Sequence, residues 1–272
     1  HRYENYIMAL CEFHEDGSPS MMVSEHGFRC KSCGEHGSLE YLYQKVSGRV
    51  VIREYTKNPA AWIWGKWEEK FGSLKNIAKI AHRNLIDNPD DAHYLIQRKI
   101  ESYIKAGTLG YLDGYYTFPV RDEYDEIVGI TARASPTIQT KKNRYTTSHD
   151  CPSKLYIPSW RTVLKNAELY LVYGIIDSWT LHASGYAGIT GLAGQTINPE
   201  WLERFRKTLY IIPDKGEEKS ALELQSHLGW RGKTLLINWP ENCKDLNDIH
   251  CRYSSDTVSE LIEKAKERYI HD

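Results

Sequence analysis

The chain has 272 residues, 41% apolar and 26% charged, which suits one large folded domain or two unequal ones and argues against disorder. Thirty-five basic against thirty-six acidic side chains leave a formal net charge of −1, so any nucleic-acid footprint has to be local. No apolar run of about 18 residues offers a membrane span, and the opening His1-Arg2-Tyr3-Glu4 does not read as a secretory leader. Three of the six cysteines fall within the first 33 positions, a spacing that fits metal binding in a reducing cytoplasm better than a disulfide framework.

The first element is a pair of knuckles, Cys11-Glu12-Phe13-His14 and Cys30-Lys31-Ser32-Cys33, separated by fifteen residues. A two-residue spacer lets the backbone turn so that both members of a pair face one ion, and four such ligands complete a tetrahedral zinc site. Cys11, His14, Cys30 and Cys33 are therefore the expected ligands of one structural Zn2+; His26 and His36 lie nearby but lack the paired spacing. Residues 21–23 and 27–29 between the knuckles read as a short hairpin.

A helix is expected over residues 38–51, followed by the tryptophans Trp62, Trp64 and Trp67, whose close spacing reads as core packing. Ser73 can cap a helix whose apolar positions Leu74, Ile77, Ala78, Ala81 and Leu85 keep the 3.6-residue period. Asn88-Pro89 opens another, expected to run to Gly107. Residues 115–120 and 127–131 then flank an acidic turn as a hairpin does. The basic run Lys141-Lys142-Asn143-Arg144-Tyr145 follows, by itself no more than a solvated loop.

Beyond residue 165 strand and helix alternate. Strands are expected at 168–173, 187–190, 208–212 and 233–238, and helices at 175–183, from Asn198-Pro199, at 217–228, and after a Thr257-to-Glu260 capping box. Such alternation predicts a mostly parallel sheet covered on both faces, with functional groups at the carboxyl ends of its strands. Asp177, Asp214, Glu217, Glu218, Asp245 and Asp248 fall at or just after those ends, and hard carboxylate oxygens there suit Mg2+ or Mn2+.

Taken in order, these motifs resemble the DnaG-type primases of bacteria and phages. The Cys-His-Cys-Cys quartet resembles their CHC2 zinc ribbon. Phe118-Pro119-Val120-Arg121-Asp122, with Ile127-Val128-Gly129 and Arg133, resembles the strand pair of their RNA-polymerase domain, and Arg144-Tyr145 the segment after it. Tyr173-Gly174 with Asp177, then Asp214, then Lys244-Asp245-Leu246-Asn247-Asp248 fall where the TOPRIM motifs of that family stand. The resemblance implies an α+β or α/β chain with a zinc ribbon at 1–50, a helical segment at 51–107, a basic β subdomain at 108–165 and a TOPRIM-like domain at 166–272. It also implies a DNA-directed RNA polymerase, a nucleotidyltransferase that makes short RNA primers from ribonucleoside triphosphates on single-stranded DNA. Arg121, Arg133, Arg144 and Lys154 would line the template or nucleotide groove, and a replicative helicase would be a partner carried on a separate chain or a further domain.

The departures fall on the chemistry. Tyr173 stands where the family has a glutamate, and Gly216 where it has the second aspartate of an Asp-x-Asp pair. Three readings follow: a primase with a shifted acidic set that enlists Glu217 or Glu218; a primase-derived binder that does not polymerise; and, a distant third, a TOPRIM nuclease. Such divergence suggests a phage or mobile-element origin.

Overall fold

The computed structural model describes residues 6–24, 27–37, 39–47, 62–140, 143–192 and 197–269. The chain divides into two compact units, residues 1–56 and residues 57–272.

In the first unit, β1 (Tyr6–Ala9), β2 (Met21–Ser24), β3 (Gly27–Cys30) and β4 (His36–Gly37) form an antiparallel sheet in that order, and α1 (Leu39–Ser47) follows. The expected hairpin is β2 and β3, with Met21 opposite Cys30. Ser38 and residues 48–51 of the expected helix lie outside the described residues, as does His26. Cys11, Met21, Phe28 and Cys30 are the buried apolar cluster, and Phe13 stacks on Phe28 at 5.2 Å. So small a core is marginal by itself, which leaves a stabilising role for a metal.

The second unit begins with α2 (Trp62–Phe71) and α3 (Leu74–Asp87). Ser73 caps α3 by accepting the Asn76 N–H, and Ile77, Ala78, Ala81 and Leu85 are its buried face. Trp64 and Trp67 are fully buried, their indole N–H groups donating to Thr146 Oγ1 at 2.8 Å and Asp113 Oδ2 at 3.0 Å. These two tryptophans are packing residues.

The single helix expected from Asn88 to Gly107 is instead broken. A 3-10 turn (Pro89–Ala92) leads into α4 (His93–Gln97), and after a break α5 spans Glu101–Lys105. Lys99 sits at the break with φ of 53°, and the Ile100 N–H returns to the Leu95 carbonyl, closing a left-handed helix end. The bend lets Leu95, Ile100 and Ile104 enter one core together.

β5 (Gly110–Leu112), β6 (Tyr115–Arg121), β7 (Ile127–Ala134) and β8 (Tyr145–Thr147) form an antiparallel sheet in chain order. Its central pair is the expected hairpin. Arg133 on β7 lies opposite Tyr116 on one side and Tyr145 on the other. Lys141 and Lys142 of the basic run lie outside the described residues.

The second sheet is built from β9 (Leu155–Tyr156), β10 (Glu168–Val172), β11 (Gly188–Gly191), β12 (Thr208–Ile211) and β13 (Gly232–Thr234). Their spatial order is β13-β12-β10-β11-β9, parallel except for β9 at the edge. Connecting them are α6 (Trp160–Lys165), which precedes β10, α7 (Ile175–Ala183) and α8 (Glu218–Leu228); α9 (Leu246–Arg252) and α10 (Ser255–Lys266) complete the chain. Side chains alternate between faces: Leu169 and Leu171 pack with Leu224 and Leu228 of α8, whereas Tyr170 and Val172 pack with Val258 and Ile262 of α10.

Local expectations needed three further corrections. Asn198-Pro199 opens only a 3-10 turn (Pro199–Leu202), because one turn already brings Leu202 and Phe205 into the core. The last strand ends at Thr234 rather than 238. The cap of α10 is Ser254, which accepts the Thr257 N–H, so the helix starts three residues before the expected box. The short helix α9 had no sequence counterpart. Among the described residues no helix is long and apolar enough to cross a membrane.

Candidate functional site

In the first unit the donor atoms of Cys11, His14, Cys30 and Cys33 all lie within 4.8 Å of one another. A tetrahedron with Zn–S bonds of about 2.3 Å has ligand–ligand edges of about 3.8 Å. The Cys11 Sγ to Cys33 Sγ distance is 3.8 Å and Cys30 Sγ to His14 Nδ1 is 3.9 Å, so the donor set fits zinc. Backbone N–H groups of Phe13, Ser32 and Cys33 point at the Cys11 and Cys30 sulfurs at 3.3–3.5 Å, as donors to thiolates should. Asp16, to which sequence reasoning gave no role, supports the first knuckle. It accepts the Cys11 N–H and the Ser20 hydroxyl and lies 3.8 Å from His14 Nε2.

In the second unit, the carboxyl end of β10, the loop after β12 and the start of α9 border a cleft of about 250 Å³ lined by Asp177, Asp214 and Asp245. Asp177 is buried on the first turn of α7. Its Oδ1 accepts the Asn247 N–H at 2.9 Å, and its other oxygen lies so close to Gly174 that a Cβ there would collide with it. Asp245 is the N-cap of α9, accepting the Asp248 N–H at 2.7 Å. Asp214, in the loop after β12, accepts no side-chain hydrogen bond among the described residues. Burial, and then the Asp245 and Glu217 carboxylates, push its carboxyl up to about 6. Burial likewise raises Asp177 and Asp245, with neighbouring carboxylates adding to it.

Acids that repel one another in a partly dry cleft favour a cation. No three carboxylates among the described residues come within 4.8 Å of one another, so the arrangement is not a preformed three-acid cage. Asp214 is the residue that would hold a divalent ion, with phosphate and water oxygens filling the remaining positions, as magnesium commonly prefers.

The same cleft is also lined by arginines that lie against tyrosine rings. Arg98 and Arg133 both lie over Tyr94, at 5.5 and 4.8 Å, and Arg133 and Arg144 both lie over Tyr145, at 5.6 and 5.4 Å. The series Arg98-Tyr94-Arg133-Tyr145-Arg144 is thus a ladder of guanidinium and aromatic groups, in which Arg133 also donates from Nη1 to the Tyr145 hydroxyl at 3.4 Å. Arg98 also reaches Asn247 Oδ1 at 3.1 Å and Asp248 at 3.6 Å. Arg133 and Arg144 have no carboxylate partner among the described residues, and Arg133 Nε is buried with no hydrogen bond.

Of the residues singled out from sequence, the cleft gathers Asp177, Asp214, Asp245, Arg133 and Arg144. Asp248 sits just behind, accepting the Lys244 N–H and pairing with Arg98. Glu217 and Glu218 sit where α8 begins, Glu218 accepting the Gly216 N–H. Arg121 is elsewhere, bonded to Asp125 within its own hairpin, and Lys154 lines a different pocket. Tyr173 lines the cleft with a half-buried phenol. Burial, and after it the nearby Glu217 and Asp214 carboxylates, raise that phenol above its ordinary range.

Sequence reasoning passed over Tyr94, Arg98 and the role of Asn247. Asn247 is buried and ties α9 to the Arg98 carbonyl and to Thr180. Tyr94 and Arg98 are partners four residues apart, but their contacts with Arg133 and Asn247, which bring them to the cleft, lie far away along the chain.

Fold and site together define a zinc-ribbon unit and an α/β unit with a basic-acidic cleft at the carboxyl ends of its strands. No protein-family model and no curated protein matches the chain. Among solved structures the chain is similar to DnaG-type primases. The zinc-binding and RNA-polymerase domains of the Aquifex aeolicus primase match 97% of this chain and 80% of theirs, at 16% identity and a TM-score of 0.47. The primase fragment of the bacteriophage T7 primase-helicase matches over 94% and 99%, at 17% identity and 0.44. The E. coli primase catalytic core matches over 83% and 77%, at 18% identity and 0.44.

Proposed function

We propose that this chain is a primase-like protein that binds single-stranded DNA and nucleoside triphosphates and joins ribonucleotides into short primers. The observation that carries the reading is that the arginines of the arginine–tyrosine ladder line the same cleft as Asp214. Guanidinium groups of Arg133 and Arg144, without a carboxylate partner among the described residues and set against tyrosine rings, suit phosphate oxygens of a triphosphate or a template backbone. A divalent ion at Asp214, when bound, would neutralise charge on the reacting phosphates. The chain's own residues orient those phosphates and, through Asp177, Asn247 and Arg98, fix α9 against the cleft. The zinc ribbon would contribute to template binding.

A second reading, binding without synthesis, has its own support. Asp177 and Asp245 are engaged by backbone N–H groups, and Tyr173 offers a protonated phenol in place of a carboxylate. Primer synthesis from labelled ribonucleotides, with magnesium or manganese, separates the two. Short RNA products from the unmodified protein, lost in Asp214→Ala and in Arg133→Ala, support the polymerase. Products that survive Asp214→Ala overturn the cleft mechanism. No product, together with nucleotide binding that Arg133→Ala abolishes, leaves a binding protein.

A further inference from the structure

A second pocket of about 260 Å³ lies beyond the end of β11, outside the acidic cleft. Its aromatic lining is Trp160, Trp201 and Phe205, the first two half-buried, and its rim carries Lys154, Arg204 and Glu200. The Arg204 guanidinium lies 4.8 Å over the Trp160 ring and is held there by Glu123 at 3.3 Å. Trp160 is itself fixed, its indole N–H donating to the Arg121 carbonyl at 2.7 Å. Lys154 is exposed and has no ion-pair partner among the described residues. Pocket and cleft are neighbours along the chain: Gly191 lines the cleft, and the next residue, Leu192, bonds through its N–H to the Lys154 carbonyl at 3.0 Å.

We propose that this pocket is a stacking site for one unpaired base of a single-stranded DNA that continues out of the cleft. The half-buried Trp201 indole, beside the Arg204-capped Trp160, and Lys154 as the cation at the rim without an ion-pair partner among the described residues match a base and its phosphate, because every base offers a π-face and every link a negative charge. The proposal rests on the reading that the cleft holds DNA, and the two can fail separately.

The test is fluorescence anisotropy with labelled oligo-dT of about 4 and about 12 nucleotides, using the full chain. Trp201→Ala should weaken the longer oligonucleotide about tenfold and leave the shorter one unchanged. Arg204→Glu, at an exposed position whose ion pair contributes little to folding, should act in the same direction and guards against a misfolded tryptophan variant. Arg133→Ala should weaken both lengths. If Trp201→Ala and Arg204→Glu bind the longer strand as the unmodified protein does, or weaken both lengths equally, the proposal is overturned. An effect of Trp201→Ala on mononucleotide binding alone overturns it as well. If the pocket variants lose length-dependent binding while Arg133→Ala and Arg144→Ala bind normally, the pocket stands and the cleft reading falls. No DNA binding by the unmodified protein overturns both.

Discussion

Asp214 differs from the acids around it in having nothing to do in the folded chain: Asp177 and Asp245 each accept a backbone N–H, and Asp214 accepts none among the described residues. Its carboxyl, pushed up to about 6 from an ordinary 3.8, binds a proton more tightly folded than unfolded. Its contribution to stability is therefore full below about pH 4 and is lost as pH rises through about 6. Without divalent metal the second unit should melt at a lower temperature at pH 7 than at pH 5. Asp214→Asn should reduce that slope, leaving the part due to Asp177 and Asp245, and raise the pH 7 melting temperature. Manganese or magnesium should raise Tm at pH 7 for the unmodified protein and not for the variant; equal shifts in both would place the ion elsewhere.

Gly216 shows why a lost carboxylate at this position is not simply restored. Its φ of +97° belongs to glycine, with open space around the missing Cβ. Gly216→Asp should thus cost about 1–2 kcal/mol through backbone strain, read as a lower denaturation midpoint, whether or not it adds a metal ligand. Tyr173→Glu meets no such barrier in the backbone and is the better variant for seeking gained activity.

At the scale of elements, α9 couples structure to the site. Asp245 is both its N-cap and a wall of the cleft, and the two roles separate chemically. Asp245→Ala should cost about 1 kcal/mol of stability by losing the cap. Asp245→Asn keeps a capping oxygen and should hold stability within a few tenths of that of the unmodified protein while weakening cation binding. Chemical denaturation of both variants, with and without manganese, checks this.

Helices read well from sequence where a cap and an apolar stripe agree, as at Ser73 with Ile77 and Ala81. They read badly where tertiary packing overrides the period. Lys99 adopts a left-handed conformation in mid-pattern because Leu95 and Ile100 must reach the same core, and nothing adjacent to Lys99 announces it. The capping box at Thr257 was equally plausible by pattern, yet Ser254 takes the cap.

For the whole molecule, the division at residues 56 and 57 sets how metal removal should act. The ribbon has few buried apolar residues and depends on its ligands, whereas the second unit has its own extensive cores. A zinc chelator, or Cys30→Ser, should unfold the first unit and leave the melting transition of the second in place. Zinc content near one per chain with a single joint transition on chelation would show instead that the units depend on each other.

The zinc quartet was determined by sequence alone, because two-residue spacers bring each pair together locally and few other structures use such spacing. So was the strand-helix alternation that yields the parallel sheet, since burial on two faces imposes its period on the chain. The acids were legible as candidates, but their division of labour was not. Which of them caps a helix, which holds a neighbouring backbone and which is left for a cation depends on where α7, α9 and the loop after β12 meet. The ladder through Arg98, Tyr94, Arg133, Tyr145 and Arg144 is joined into one by the tertiary structure, through Arg133. Its members come from α4 and its broken end, the end of β7 and the start of β8 with the residue before it. The contacts of Arg133 with Tyr94 and Tyr145 join segments far apart and leave no period in the sequence, only a contact that folding creates.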